Sequence, residues 1–430
     1  MLAWFHTHRP AAKAALIVNS VATALRLEQR LQPLFALHGL SVVANTGITG
    51  RALRTASYAA DLLIGTSTVD VGVDFRINLL IFESLNAGTF LQRLGRLGRH
   101  TTYRDRDGRE HRFAAFAAHA LVPPFLYERL TLPEAGQPAP LHSAETYTRE
   151  QLANTITAVF PRPTGFQSYT RFWGRFVPAK VMQTLSGKVL RPTFGPQIEP
   201  LLRRYGALIQ GRVGDAMRES NDRRAAGEEL LIEEAQSFRG GSPFDCGVLK
   251  DDENDVVTYD LLWLLANAHL EVISHESFCA AVRRLGKSDL PYRRGYQRFF
   301  FRWRGLRAQR ETVQILLGPQ VAAWGPERQQ SAQVLPGIQL DCAGHEYLNT
   351  LNRTLIALPC VGLLVPAFEP RQLQRTLYLP PGFHLLPYRI DDPESAIQTG
   401  TFAFGRAALL LDSRLRVKPL GGMPDSPMIY

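Results

Sequence analysis

Apolar and polar positions alternate along the first 130 residues in a way that predicts short buried strands separated by helices. Ala14–Val18 is an apolar run that stops at the polar pair Asn19-Ser20; Val21, Ala24, Leu25, Leu31 and Leu34 then share one side of a helix. Ser41–Ala44 is a second strand, ending at Asn45-Thr46-Gly47. Leu62–Gly65 and Leu79–Phe82 are two more, and Ala114–Val122 closes the series before Pro123-Pro124. Strands that alternate with helices at this spacing imply a parallel sheet covered on both faces, with ligands beyond the carboxyl ends of its strands. The expected fold class is α/β.

A Pro- and Ala-rich linker, Leu132–Pro140, separates this part from a helical middle. Thr148–Phe160 reads as one helix and Gln197–Phe238 as a long one with a mixed-charge, solvated face, ended by Arg239-Gly-Gly-Ser-Pro243. Beyond that point short strand-like runs, broken by Gly and Pro, continue to the C-terminus. The expected organisation is an α/β lobe over 1–130, a mostly helical accessory region over 131–245 and a β-rich accessory domain over 246–430. The best candidate for a membrane span, Leu355–Phe368, is short and carries Pro359 and Pro366, so it reads as a core strand and no membrane partner is expected.

Composition changes this picture little. The chain of 430 residues is 45% apolar, which excludes wholesale disorder. Lys+Arg number 49 against 39 Asp+Glu, a formal charge of +10, and only six of the basic residues are lysine. An arginine-rich surface suits phosphate and nucleic-acid partners, although a GC-rich genome would produce the same bias. Within the first 130 residues 15 basic residues face 9 acidic ones. Cys246, Cys279, Cys342 and Cys360 lie far apart, so neither a zinc site nor a disulfide framework is expected. With no secretory signal at the N-terminus, the expected compartment is the reducing cytoplasm.

Two stretches carry chemistry. Gly65-Thr-Ser-Thr-Val-Asp-Val-Gly-Val-Asp-Phe75 follows directly on a buried strand, and Gln92-Arg-Leu-Gly-Arg-Leu-Gly-Arg99 opens just after Thr89, a plausible helix N-cap. Two glycines and three arginines in seven residues suit no packing helix, because each interior glycine costs about 1 kcal/mol.

The pair, in this order, resembles motifs V and VI of superfamily 2 helicases, and Asn19-Ser20 resembles motif IV. The first 125 or so residues therefore resemble the second RecA-like lobe, a P-loop NTPase fold, of such an enzyme. The resemblance implies that Arg96 and Arg99 reach across a cleft to the γ-phosphate of ATP, where a permanently charged guanidinium stabilises the transferring phosphoryl group. It places Asp74 near the ribose, Gly72 at a close backbone approach, and Gln92 and Arg93 between the nucleotide and nucleic-acid sites. Asn19, Ser20, Thr46, Gly47, Thr66 and Ser67 match positions that hold the backbone phosphates of the tracking strand, contacts blind to base sequence. The phrasing Val18-Asn-Ser-Val21, Asn45-Thr-Gly-Ile-Thr-Gly50, Gly65–Asp74, Gln92–His100 and Ser237-Phe-Arg-Gly-Gly-Ser-Pro243 is similar to the helicase of type I CRISPR interference, especially the separate subunit of subtype I-D. The function so implied is ATP-driven unwinding of target DNA. The implied partners are single-stranded DNA, a first helicase lobe, a CRISPR surveillance complex and an HD nuclease on another subunit.

The departures matter. No G-x-x-x-x-G-K-[ST] run and no acidic Mg²⁺-binding motif occur; Gly286-Lys287-Ser288 lacks the upstream glycine and reads as a loop. ATP with Mg²⁺ is therefore expected to be held mainly by a first lobe, and Leu2–Arg9 looks like the tail of an inter-lobe linker. No metal site is expected. Asp251–Asp255 reads as a solvated hairpin loop, the histidines lack ligand spacing, and His100 either faces the cleft or serves as a cap. Tyr292–Arg310, with seven arginines and no acid, reads as a half-buried strand with Phe299, Phe301 and Trp303 on one face and Arg298, Arg302 and Arg304 on the other, or as an arginine surface for nucleic acid. Half of another superfamily 2 DNA or RNA helicase, and a non-catalytic nucleic-acid-binding remnant of a split gene, remain alternatives. Backbone contacts alone do not separate DNA from RNA.

Overall fold

The computed structural model describes residues 1–70, 75–105, 107–133, 138–160, 165–237, 244–293, 297–321, 323–324, 326–377, 379, 383–390 and 397–420. The chain folds into two compact units, each made of two separate stretches: residues 1–162 with 245–310, and 163–244 with 311–430.

In the first unit the strands are β1 (Ala14–Ile17), β2 (Val42–Asn45), β3 (Leu62–Gly65), β4 (Leu79–Glu83), the small hairpin β5 (Thr102–Arg104) and β6 (Glu110–Arg112), and β7 (Ala117–Leu121). Five of them form one parallel sheet in the order β2-β3-β1-β4-β7. The helices are α1 (Leu2–His8), α2 (Val21–Ala36), α3 (Arg51–Ser57), α4 (Ala87–Leu94), α5 (Pro124–Thr131) and α6 (Arg149–Val159). The alternation of side chains along each strand divides the apolar residues between two cores. Ala15, Ile17, Leu63, Leu80 and Phe82 pack with Phe90, Leu126 and Ile156 of α4, α5 and α6. Ala14, Leu16, Leu62, Ile64 and Leu79 pack with Phe5, Ala24 and Phe35 of α1 and α2. Burial on both faces is why β1, β3 and β4 read as continuous apolar runs, whereas the edge strand β7 is mostly exposed.

The second stretch of this unit adds β8 (Asp245–Lys250), β9 (Asp255–Asp260), β10 (Ala268–Val272) and β11 (Phe299–Leu306) in the order β10-β11-β8-β9. Asp251–Asn254 forms the β8–β9 turn. β11 takes the strand reading of the arginine-rich segment. Phe299 and Phe301 are buried, but so is Phe300, because the helix His275–Arg284 covers the other face and sets Phe278 4.8 Å from its ring. Arg302 pairs with Asp251 at 3.1 Å and Arg304 with Glu271. Gly286-Lys287-Ser288 is a loop after that helix, with Gly286 in the left-handed region.

The second unit corrects one expectation. In place of one helix over 197–238 there are three, Arg191–Ile209, Val213–Ala225 and Glu229–Gln236. Gln210 at φ +53° and Gly227 at φ +83° turn the chain between them. Charge periodicity ran through both breaks, and a left-handed glutamine has no sequence signal of its own. The unit's mixed sheet is β12 (Gln314–Leu317), β13 (Gln333–Leu335), β14 (Gln339–Asp341), β15 (Cys360–Pro366), β16 (Leu385–Ile390) and β17 (Gln398–Phe404), in the order β13-β15-β17-β16-β12-β14. The run around Leu355–Phe368 supplies the buried core strand β15. The fold class is thus as expected, an α/β lobe on a parallel sheet, with further β-rich structure. All four cysteines are buried, and none is in a disulfide. Among the described residues no helix is long and apolar enough to cross a membrane.

Asp412, on the helix Arg406–Val417, is 1% exposed and accepts from Trp173 Nε1 at 2.7 Å, the Ala332 amide at 3.1 Å and Arg416 Nε at 2.7 Å. It joins three distant segments of this unit. Asp412→Ala orphans a buried indole N–H and a buried amide, so urea unfolding is expected to show a loss of about 3 kcal/mol; a loss below about 1 kcal/mol would contradict this role.

Candidate nucleotide and nucleic-acid site

The polar residues that end β1, β2 and β3 stand beside one another because those strands are neighbours in the sheet. Asn19 and Ser20 follow β1, Thr46 and Gly47 follow β2, and Thr66 and Ser67 follow β3. Asn19, Ser20 and Ser67 are exposed, whereas Thr46 and Thr66 are buried. Ser20 caps α2, accepting from the Thr23 amide at 3.2 Å. Thr49 Oγ1 accepts from the Thr46 amide at 2.9 Å and lies 3.1 Å from its hydroxyl, while the Thr66 hydroxyl lies 3.3 Å from that of Thr68. The two buried threonines shape their loops from within. Gly65 is required by the same turn, since a Cβ there would lie 2.4 Å from Val69 Cγ2.

Thr89 is not the N-cap of the helix that leads into the arginine-rich run. Asn86 caps α4, its side chain accepting from the Thr89 amide, and the helix ends at Leu94. Its glycines therefore terminate the helix, and Arg96 and Arg99 lie in the turn beyond it. Arg93, on the last turn of α4, is 2% exposed. Its Nε donates to both carboxylate oxygens of Asp70, at 3.0 and 3.2 Å, and one terminal nitrogen donates to Asp70 Oδ2 at 3.0 Å. The other terminal nitrogen donates to Asn19 Oδ1 at 2.9 Å and to the Glu83 carbonyl at 2.6 Å. Gln92 Nε2 donates to the Asp70 carbonyl at 2.8 Å, and Arg96 donates to that same carbonyl. Asn19, Gln92, Arg93 and Arg96 are thereby drawn together around Asp70, a residue the sequence reading passed over. It sits inside the quoted stretch, but nothing there distinguishes it from Asp74. Gly72 and Asp74 lie outside the described residues, as does the phrase Phe238–Pro243.

Arg99 is exposed and donates from Nε to the Gly95 carbonyl at 2.7 Å. With Gly98, Tyr147 and Arg149 it lines an open groove of about 810 Å³ over Leu91 and Leu94. Guanidinium groups beside an open groove suit phosphoryl oxygens. Among the described residues no group of three His, Cys, Asp or Glu is placed to hold a metal.

The loop after β2 is covered from within the same unit. Gly50 N donates to Glu253 Oε2 at 2.6 Å and Arg51 N donates to Asp255, so the acidic hairpin caps the start of α3. A Cβ on Gly50 would lie 2.6 Å from both carboxylates. Lys250 donates to Glu253 and, at 3.3 Å, to the Ile48 carbonyl, and Lys287 donates to Asp255. Burial pushes the Lys250 ammonium down and the nearby Glu28 carboxyl up. Tyr259, pushed up to about 12 by burial, packs against Gly47. The hairpin expected at Asp251–Asp255 is present, but Glu253 and Asp255 are not solvated; the alternation of charge gave no hint of a distant loop rich in free amides.

No protein-family model matches the chain, and no curated protein matches it in sequence. Among solved structures it is similar to T. fusca Cas3, at 11% identity and a TM-score of 0.30, over 72% of this chain and 38% of that one. T. fusca Cas3-ATP aligns at 16% identity and a TM-score of 0.26, over 57% and 28%. Mss116p DEAD-box helicase domain 2 bound to an RNA duplex aligns at 15% and 0.22, over 46% and 75%. The chain spans well under half the length of the Cas3 chains. Likenesses of this size carry no weight for function.

Arg93→Lys tests the hub. A lysine ammonium cannot span the Asp70 fork, Asn19 and the Glu83 carbonyl together. The substitution is expected to lower stability by about 2–3 kcal/mol in chemical denaturation, and Arg93→Ala by more, because it leaves Asp70 buried without its cation.

Proposed function

We propose that this chain is the C-terminal part, the second RecA-like lobe with accessory structure, of a superfamily 2 ATP-dependent DNA helicase of type I CRISPR interference, of the kind that forms a separate subunit in subtype I-D. The observation that carries the reading is the Asp70–Arg93 hub. It links the loop after β3, the loop after β1 and the arginine turn after α4, the three places where the resemblance puts nucleic-acid contacts, coupling residues and phosphate-reaching arginines.

In this reading Arg99, exposed beside Arg149, meets the γ-phosphate of ATP presented by another lobe, whether that lobe is joined to this chain or separate. Arg96, anchored on the Asp70 carbonyl, completes the arginine pair when the turn shifts. Gln92, Arg93 and Arg96 all hold Asp70, so displacement of the turn pulls on the loops beyond β1 and β3. Asn19, Ser20 and Ser67 then contact the phosphates of single-stranded DNA, while Thr46, Gly47 and Thr66 keep their loops in shape. Gly72 and Asp74 take the nucleotide-side roles that their motif implies. Catalysis here is positioning plus electrostatic stabilisation, which guanidinium groups supply without a metal of their own. Mg²⁺ belongs with the P-loop and acidic motif, neither of which these residues contain. A surveillance complex recruits the motor, and an HD nuclease on another subunit degrades the unwound strand.

The test is ATP hydrolysis in the presence of single-stranded DNA. The chain alone is expected to hydrolyse no ATP. With a first-lobe protein carrying a P-loop, hydrolysis is expected to appear and to fall about 10³-fold in Arg99→Ala. Turnover by the chain alone, or full activity in both Arg96→Ala and Arg99→Ala, would sink the assignment.

A further inference from the structure

The second unit concentrates positive charge in its first helices. Between residues 165 and 225 eleven Arg and Lys stand against four Asp and Glu. Most of that charge is solvated, but three guanidinium groups converge. Arg171, from the turn Thr170–Gly174, Arg175, just after it, and Arg212, at the start of the helix Val213–Ala225, line one pocket of about 250 Å³ together with Gln210, Gly211 and Asp215. The left-handed turn at Gln210 brings the second element's arginine against the first element's pair.

The carboxylates within reach are already engaged. Glu219 pairs with Arg175 and, at 3.0 Å, with Arg223, and Asp215 pairs with Arg218. Arg171 and Arg212 are exposed and have no carboxylate partner among the described residues. Arg175 is part-exposed and keeps one terminal nitrogen on Glu219, so its other guanidinium edge remains for a ligand. Like charges brought to one small pocket repel each other, and an anion relieves that repulsion. The forked donors of three guanidiniums match a group that offers several oxygens in different directions, which a phosphate does and a chloride or single carboxylate does not.

We propose that Arg171, Arg175 and Arg212 form a phosphate-binding site on the second unit, which takes a phosphodiester of a nucleic-acid backbone or a free phosphate. The exposed Lys180, Lys188, Arg191 and Arg204, in the stretch of chain between Arg175 and Arg212 and none with a carboxylate partner among the described residues, would add long-range attraction for a polyanion. The site does not rest on the helicase reading, because none of its residues belongs to the first unit.

The test uses the whole 430-residue chain. Binding of a fluorescein-labelled oligothymidylate is followed by anisotropy between about 50 and 200 mM salt, and binding of inorganic phosphate by calorimetry. Arg171→Ala/Arg212→Ala is expected to weaken oligonucleotide binding at least fivefold and to reduce the salt slope by about 0.7, the value for one lost phosphate contact. Arg203→Ala, which removes an exposed pair with Glu199, is expected to change neither. Should only inorganic phosphate binding fall in the double variant, the ligand is a free phosphate; should only oligonucleotide binding fall, it is the backbone phosphodiester. Equal binding of both ligands by wild type and variant overturns the proposal. The single variants, at exposed positions, give the same readout if the double variant does not fold. Hydrolysis that depends on Arg99 is unaffected by any of these outcomes, so the two readings fail separately.

Discussion

A buried arginine with a buried aspartate under it is the constraint on which the first unit depends. Taking both groups out of water is costly, and a single pair rarely repays that cost. Here the guanidinium is held from three sides: a fork onto Asp70, one bond to Asn19 and one to the Glu83 carbonyl. These groups come from the ends of three strands and one helix, so the arrangement of the loops above the sheet is set by electrostatics together with the apolar packing that Val69 continues beyond β3. The hub also explains why the arginine turn and the threonine-rich turn, 23 residues apart, behave as one object.

Away from the hub, the same logic of internal partners governs the loop after β2. Glu253 and Asp255 approach backbone amides that only a glycine at position 50 can expose. The acidic hairpin thus satisfies donors that the sheet's own connections leave open, and it ties the smaller sheet to the larger one within the unit.

How much of this was legible in the sequence follows from which forces act over short stretches. β1, β3 and β4 could be read almost to the residue, because burial on both faces leaves an uninterrupted apolar run. The helix α6 could be read as well, since Thr148 and Gln151 form a capping box that is written locally. The N-cap of α4 was misplaced by three residues because Asn86 and Thr89 are both good caps, and only the helix phase decides between them. The long helix over 197–238 dissolved into three because its breaks lie at a glutamine and at an Ala-Gly pair with no proline. Most of the candidate site was legible as residue types at strand ends, but its internal wiring was not. Whether a threonine hydroxyl faces solvent or its neighbour leaves no mark on residue type, and which aspartate receives the arginine is settled by a contact 23 residues distant. Likewise, composition divides a chain into consecutive stretches, and compact units built from two stretches each are invisible to it.

The bond from Gly50 to Glu253 spans 203 residues of chain. A ribosome adds about 5–20 residues each second, so the partner of that amide emerges roughly 10–40 s after the amide itself. During that interval the parallel sheet can assemble, for its strands all lie within the first 121 residues. The loop beyond β2 cannot be completed, and its amides and those at the start of α3 stay open to water or to a chaperone until β8 and β9 arrive. The order of synthesis therefore leaves the loop after β2 open longer than the loops after β1 and β3, whose hub partners all lie within the first 93 residues.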